Sequence, residues 1–539
     1  MVMLSRYGVT LPTLTLSSFG RVLSRSFCAF FVSVLGALFL ALSLLAQAHA
    51  AQMESLPPAV RMELEQARIP ADAVAVWVQP VDATQPALAF NATRPMNPAS
   101  VMKVVTTFAA LELLGPERTW TTRIATSGAL REDGVLMGHV YLVGDGDPVL
   151  TYERLWRLLR RLRSLGFSTI GGDIVLDRSA LVLPEHDPFA FDGRGLRPYN
   201  SGGDGLLIHF NTQELALIPG SRAQDPVRLV AEPPLMGVEI DNQIVTSNKS
   251  CEPWYRDLDA RIEQGSRLTL TGSLPASCGP RTWATSPLAP PDYDVGMVRA
   301  LWWELGGVVR GQVRSGVMPV GAQVLISDES VPLGEIVRTM NKWSSNVIAR
   351  QLLAQVGRES FGSTADAGMS ADMVAAGAEA ARKSLAWAGI DVSGLEVDNG
   401  SGLSRNARIR ADSLGTLLIR AWQRPWMPDF IASLPVAGRD GTARRRLDGS
   451  SASGRAHLKT GTINDVRAIA GYVLDQNGRR QAVVMMVNHP EAANSRKAQD
   501  ALIEWVWSGM PQAAKPAPAP IRSKPQPDSR RLPPLRGKR

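Results

Sequence analysis

The feature that most limits how this chain can fold is a long interruption. From about residue 122 to 291 the sequence consists of short β-rich pieces between Gly, Pro and Asp turns. Examples are residues 135–143, ahead of Gly144-Asp145-Gly146-Asp147-Pro148, and residues 172–177; the one clear helical pattern there is 152–165. The flanks read differently. Residues 74–78 and 87–91 are predicted strands around Asp82-Ala83-Thr84, and a helix starts at Pro98-Ala99 and stops at Gly115. Beyond the interruption, helical patterns cover 297–305, 333–356, 371–388 and 411–423. Strands 469–474 and 481–488 then flank the turn Asp475-Gln476-Asn477-Gly478, and an amphipathic helix spans 494–507. A strand-then-helix start and a helix-then-hairpin end predict one α/β domain, residues 51–121 with 292–510, carrying a β-rich insertion at 122–291. No internal repeat is present.

The 539 residues are 45% hydrophobic and 20% charged, which excludes whole-chain disorder and a polytopic membrane protein. The net charge of +8 does not imply nucleic-acid binding, because residues 1–50 contribute +3 and residues 515–539 contribute +7. The part expected to fold is therefore near neutral. Both ends have their own reading. Arg21 and Arg25 precede an apolar run from Phe27 to Ala46, followed by the small-x-small site Ala48-His49-Ala50, the order of a secretory signal (residues 1–50). The apolar run is also long enough to serve as an uncleaved anchor. Either way residues 51–539 leave the cytoplasm, and the periplasm is the expected compartment. From Pro511 the chain is Pro- and Arg-rich without apolar periodicity, a disordered basic tail suited to contact with anionic lipid or wall polymer. Cys28 falls in the signal, leaving Cys251 and Cys278, an even number in an exported protein and an expected disulfide. No metal-ligand spacing occurs, and neither a metal nor an organic cofactor is expected.

Three short motifs carry chemistry. In Ser100-Val101-Met102-Lys103 the three-residue spacing puts hydroxyl and amine on one helix face. A lysine whose pKa is depressed by burial or a second cation can take the serine proton. Only six lysines lie between residues 51 and 514, so one at this position is informative. In Ser344-Ser345-Asn346, on a predicted loop or helix edge, a hydroxyl and a carboxamide two residues apart can relay a proton and hold an amide. In Lys459-Thr460-Gly461-Thr462 the lysine can bind a carboxylate, Gly461 lets another backbone approach, and the Thr462 N–H can serve an oxyanion hole. Each motif alone is also what an ordinary cap or strand end looks like. Their conjunction in this order, in an exported chain, is the signature set of penicillin-recognising serine acyl-transferases.

The long separation between Ser100 and Ser344 resembles the D-alanyl-D-alanine carboxypeptidase/endopeptidase family, the class C low-molecular-mass penicillin-binding proteins. Further matching segments are 144–148, 172–177, 400–405 and 434–442, so the resemblance covers about residues 55–510. That family often has Asp in the middle of Ser-x-Asn, where this chain has Ser345. The resemblance implies a penicillin-binding, serine β-lactamase-like fold: a central antiparallel sheet flanked by helices, interrupted by two small domains, one nested in the other. It implies Ser100 as nucleophile, Lys103 as general base, Ser344 as proton shuttle, Asn346 as holder of the acyl amide, and Lys459 with Thr460 as readers of the terminal carboxylate. The N–H groups of Ser100 and Thr462 form the oxyanion hole. Peptidoglycan stem peptides are the implied substrates and β-lactams acylating inhibitors. A pocket for a diaminopimelate side chain needs one acid and one base, and the resemblance nominates Asp177 and Arg405, with Asn464 alongside.

A β-lactamase shares the motifs, but the long insertion argues against it. A catalytically silent penicillin-binding or wall-anchoring scaffold is opposed by three intact motifs. A His-dependent hydrolase would draw on His457, two residues before Lys459, although Ser-Lys chemistry needs no imidazole. Cleavage after Ala50 predicts a mature chain that begins at Ala51. Intact mass and N-terminal sequencing of the exported protein check this; a retained residue 1–50 segment would make it an anchor.

Overall fold

The computed structural model describes residues 55–263, 266–360 and 372–510. The expected signal and basic tail lie outside the described residues. Among those described, no helix is long and apolar enough to cross a membrane.

The two ends of the chain build one sheet. Its five antiparallel strands run in the order Ala456–Ile463, Val466–Leu474, Arg480–Asn488, Val74–Pro80, Leu88–Phe90. The register pairs Val76 with Met485 and Ala470 with Val484. Both faces are covered, so these strands are apolar throughout and the two-residue period sorts them. Ala75, Trp77, Ala468, Ala470, Tyr472, Val484 and Met486 face a helical core, whereas Val74, Val76, Val78, Ile469, Met485 and Val487 face the other. Helices Pro58–Gln66 and Arg496–Trp507 cover the second face; the first of these carries no strong sequence signal.

The helix that follows the nucleophile motif, Met102–Leu114, is packed in the centre of the larger core. Val104, Val105, Thr106 and Thr107 form a β-branched run that disfavours helix, yet all four are buried, and tertiary packing overrides propensity. Two of them also bond: Thr106 Oγ1 donates to the Gly400 carbonyl (2.6 Å) and Thr107 Oγ1 to the Lys103 carbonyl (2.7 Å). Gly115, at φ 81°, ends the helix.

The inserted region has two further cores. Strands Val313–Ser315, Ile174–Asp177, Val140–Val143, Thr121–Thr126 and Gln323–Glu329 form a mixed sheet. Helices Tyr152–Ser164 and Pro290–Glu304 share one hydrophobic cluster with this sheet. Within it sit two three-stranded sheets built from residues 213–285 around Leu215, Leu217, Leu268, Leu270 and Trp283. The Cys251–Cys278 disulfide is formed, with Cα atoms 4.9 Å apart.

Two differences from the sequence reading have clear causes. Residues 292–329, expected in the catalytic domain, belong to the inserted region, because Gln323–Glu329 pairs with Thr121–Thr126 and Val313–Ser315 with Ile174–Asp177. The expected strand over 135–143 is two strands in two sheets. Gly138 packs so closely on the Gly128 backbone that a Cβ there would lie 2.6 Å from the Gly128 Cα, and the chain changes sheet at that point.

One glycine tests the packing. A Cβ at Gly415, inside helix Ala411–Trp422, would lie 2.2 Å from the Trp77 ring. Gly415→Ala gains about 1 kcal/mol of helix propensity but overpacks a closed core at a cost of about 1–3 kcal/mol. The expected result is a net loss of stability, read as a lower urea midpoint; a raised midpoint would show that the ring can yield.

Candidate active site

Ser100 sits in a short 3-10 turn, Ala99–Val101, at the head of helix Met102–Leu114. The turn is held against two glycines. A Cβ at Gly402 would lie 1.8 Å from the Ala99 carbonyl oxygen, and one at Gly461 would lie 2.5 Å from that of Pro98. Ala99 itself adopts φ 45°, and its N–H donates to Asn97 Oδ1 at 2.8 Å. A non-glycine residue held there is strained backbone, stabilised by its surroundings.

Lys103 is completely buried. Its Nζ lies 3.2 Å from Ser100 Oγ, and it donates to Asn346 Oδ1 (2.6 Å) and the Ser401 carbonyl (2.6 Å). Burial first, and then the charges of Lys459 and Arg350, push its pKa well below the ordinary lysine range. The Ser401 carbonyl is presented by a turn in which Asn399 Oδ1 accepts from both the N–H and the hydroxyl of Ser401.

The expected single helix over 333–356 is broken at the motif. Leu333–Trp343 and Asn346–Ser360 meet at Ser344, which adopts φ 58°, ψ 37°. This left-handed turn lifts Ser344 out of the helix, and Lys459 Nζ donates to its hydroxyl at 2.9 Å. Lys459, on the edge strand Ala456–Ile463, is also fully buried and donates to the Thr460 carbonyl at 2.8 Å. Burial pushes its pKa down to about 7. The Thr460 and Thr442 hydroxyls are 2.8 Å apart, and Thr462 is exposed on the same strand. Ser100, Lys103 and Asn346 therefore form one hydrogen-bonded group and Ser344 with Lys459 another, and the Lys459 charge is felt at Lys103. No carboxylate hydrogen-bonds to any of them among the described residues.

The family described as D-Ala-D-Ala carboxypeptidase 3 (S13) matches residues 57–508. The chain belongs to that family. The S13 family makes it a serine-type D-Ala-D-Ala carboxypeptidase, a hydrolase. It is 32% identical over 451 residues to the D-alanyl-D-alanine carboxypeptidase of Actinomadura sp. (strain R39), covering 79% of this chain and 80% of the relative. It is 25% identical over 409 residues to the carboxypeptidase DacB of Haemophilus influenzae, covering 74% and 82%. The crystal structure of penicillin-binding protein 4 from H. influenzae superposes with a TM-score of 0.68 at 24% identity, covering 83% of this chain and 99% of that one. A second structure of that protein, complexed with a β-lactam, gives a TM-score of 0.65 at 23% identity. The mixed α/β fold is thus that of penicillin-binding protein 4.

The outlying candidates divide. Arg405 stacks on the Phe191 ring, 4.9 Å from guanidinium carbon to centroid, and its Nη1 donates to the Asn464 carbonyl at 3.4 Å. Phe191 in turn packs with Ala99, Ile463 and Leu403 beside the nucleophile turn. Asp177 is not brought to this group. It is 3% exposed, its two oxygens accept the N–H groups of Ser179 and Met318, and it ends a strand inside the inserted sheet. The acid next in the chain to Phe191 is Asp192, exposed and accepting from Tyr199 Oη and Asn200 Nδ2, each at 2.8 Å. The aromatic-acid pair Phe191-Asp192 was the available sequence signal. The same loop reaches the centre: Asn346 Nδ2 donates to the Tyr199 carbonyl at 3.0 Å. His457 is half-buried against Ile431, Arg480 and Lys342 and takes no part in the cluster.

Lys459 gives a pH test. Its folded value of about 7 lies below the ordinary 10.5, so between those limits the unfolded chain holds a proton that the folded protein has released. Stability therefore rises with pH across this window and is lowest below pH 7, where both states are protonated. Measured against Lys459→Met, the wild type should gain about 2–3 kcal/mol of unfolding free energy from pH 7 to about pH 9.5. A flat difference in urea titrations would show that Lys459 is not depressed.

Proposed function

We propose that Ser100 is the acylated nucleophile of an exported DD-peptidase acting on peptidoglycan stem peptides that end in D-Ala-D-Ala. The observation that carries this reading is the burial of Lys103 with Nζ 3.2 Å from Ser100 Oγ. An amine pushed toward its neutral form beside a hydroxyl can accept that hydroxyl's proton. Ser100 Oγ attacks the carbonyl of the penultimate D-alanine as its proton passes to Lys103. The carbonyl oxygen becomes an oxyanion facing the Ser100 and Thr462 N–H groups. The C–N bond then breaks, and the leaving amine takes a proton through Ser344. Lys459 and Thr460 hold the departing carboxylate, Gly461 gives the strand its close approach, and Asn346 holds the acyl amide. Water, giving its proton to the same base, hydrolyses the ester and releases the shortened peptide.

The diaminopimelate side chain, with its ammonium and carboxylate, is read by Asp192 and Arg405, with Asn464 alongside; Asp192 replaces Asp177 in this role. Penicillin enters as a substrate mimic whose acyl group stays on Ser100. The Arg-rich N-terminal signal and the disulfide support action outside the cytoplasm. The tail from residue 511 adds an electrostatic contact with anionic lipid or wall polymer.

The purified protein incubated with fluorescent penicillin should carry one persistent adduct by intact mass, lost in Ser100→Ala. Rapid penicillin hydrolysis with no lasting adduct would make it a β-lactamase, and no adduct on folded protein would leave a silent scaffold.

A further inference from the structure

The nested part of the inserted region carries a cavity of about 960 Å³ that the proposed chemistry does not use. Three segments wall it: the loop through 189–197, the edge-strand region through 255–262, and strand Arg281–Thr285. Phe189 and Tyr255 bring exposed rings to the wall, and Trp283 lies in it at 4% exposure. Arg197 sits over the Trp283 ring, 5.4 Å from guanidinium carbon to centroid. Trp283 Nε1 is a buried donor with no partner among the described residues. Unmatched donors are costly unless a ligand or water completes them.

The charge of the lining points to an anion. Arg194, Arg197, Arg256 and Arg261 line the cavity with one acid, Asp259, and Arg261 Nε donates to that acid at 3.0 Å. Arg194, Arg197 and Arg256 have no ion pair among the described residues. The acids next in sequence are engaged elsewhere: Asp192 accepts from Tyr199 and Asn200, and Asp257 from Lys249. The wall is also braced, because Asn200 Nδ2 donates to the Arg194 carbonyl at 3.0 Å as well as to Asp192. A braced wall lowers the ordering cost of binding. Unpaired guanidinium groups suit carboxylates. Exposed aromatic faces beside them suit the C–H faces of sugar rings. A ligand that carries both fits this cavity better than a simple anion does.

Its place narrows the choice. Gly193 and Arg194 join the lining two and three residues after Phe191, whose ring carries Arg405 and packs with Ala99 and Ile463. Two residues span at most about 7 Å. Ile463 is three residues past Thr460 on the edge strand, about 10 Å along it. The cavity therefore opens toward the acyl side, away from the departing carboxylate. In the function proposed above, on which this inference rests, Arg405 meets the diaminopimelate of the stem. Beyond that residue the stem runs through a γ-linked D-glutamate with a free α-carboxylate, then an alanine, then the lactyl ether of an N-acetylated sugar in the glycan strand. We propose that this cavity is a subsite for the glycan end of the acyl-donor stem, with the glutamate carboxylate at the arginines and the first sugar against Phe189 and Tyr255. Arg197 turns from the indole to the carboxylate, and a ligand oxygen then completes Trp283 Nε1. The enzyme thereby prefers stems still attached to glycan over free stem peptides, and the nested sheets serve to read the polymer.

The full chain is assayed on a disaccharide-linked pentapeptide and on the free pentapeptide of the same sequence, and the ratio of their kcat/KM values is read. In the wild type the ratio should favour the disaccharide form. Tyr255→Ala should lower it about fivefold, through the disaccharide substrate alone, as one stacking face is lost. Arg194→Ala with Arg256→Ala should lower kcat/KM on both substrates about tenfold, as charge-assisted bonds to the glutamate carboxylate are lost. Amidating that carboxylate should do the same to the wild type and add little to the double variant. The corresponding lysine variants should keep part of the rate, and penicillin acylation of each variant shows that its catalytic group is folded. A wild type indifferent to the disaccharide, or a preference that Tyr255→Ala leaves intact, overturns the subsite and leaves the DD-peptidase standing. Binding of phosphatidylglycerol vesicles that is lost in the double arginine variant, with its rates on both substrates unchanged, assigns the arginines to lipid and also overturns it. Failure of the wild type to form a penicillin adduct overturns the parent reading and this one together.

Discussion

The buried amine of Lys103 is the constraint on which the rest of the site depends. A lysine at zero exposure is tolerated only if it is hydrogen-bonded and need not carry a full charge. Its partners come from three distant segments: Ser100 on its own helix, Asn346 at the head of another helix, and the Ser401 carbonyl from a loop. Each partner is itself held. Asn346 bonds to Tyr199, Ser401 to Asn399, and the Ser100 turn is pressed between Gly402 and Gly461. Two of those contacts lie so close that any side chain at either glycine would displace the nucleophile turn. The strain at Ala99 is one consequence of fixing a hydroxyl at the end of a buried helix.

Two buried lysines in one cluster divide the work by environment, because two full charges so close together repel. Lys103 is fully buried and faces both Lys459 and Arg350, so the neutral form is favoured. Lys459 is lowered by burial alone, and it lies where the substrate would bring a carboxylate. A bound anion favours the charged form of Lys459. That charge, felt at Lys103, further favours the neutral base. Under the proposed function, substrate binding and base activation are coupled through one Coulombic contact.

What could be read from the sequence follows from range. The three motifs were legible because the chemistry dictates residue types at short spacing, and the hairpin around Asn477-Gly478 was legible from its turn. The break at Ser344 was legible only as a loop or helix edge at the motif, since a left-handed serine carries no Gly or Pro signal and the flanking pattern is helical on both sides. The end of the inserted region was missed for a different reason. Helix Pro290–Glu304 and strand Gln323–Glu329 are assigned by partners far earlier in the chain, in Tyr152–Ser164 and Thr121–Thr126, and local texture holds no record of those pairings. Asp177 and Asp192 show the same limit. Each is an acid in the inserted region, and only the tertiary course of the loop separates the backbone-capped one from the one beside Phe191.

The inserted region therefore acts as a wall of the site rather than an appended body. Through the Tyr199 carbonyl it fixes both Asn346 and Arg350, and through Phe191 it sets the plane of Arg405. Under the proposed function the acyl side of the groove, with Asp192 and Arg405, takes its shape from a different fold unit.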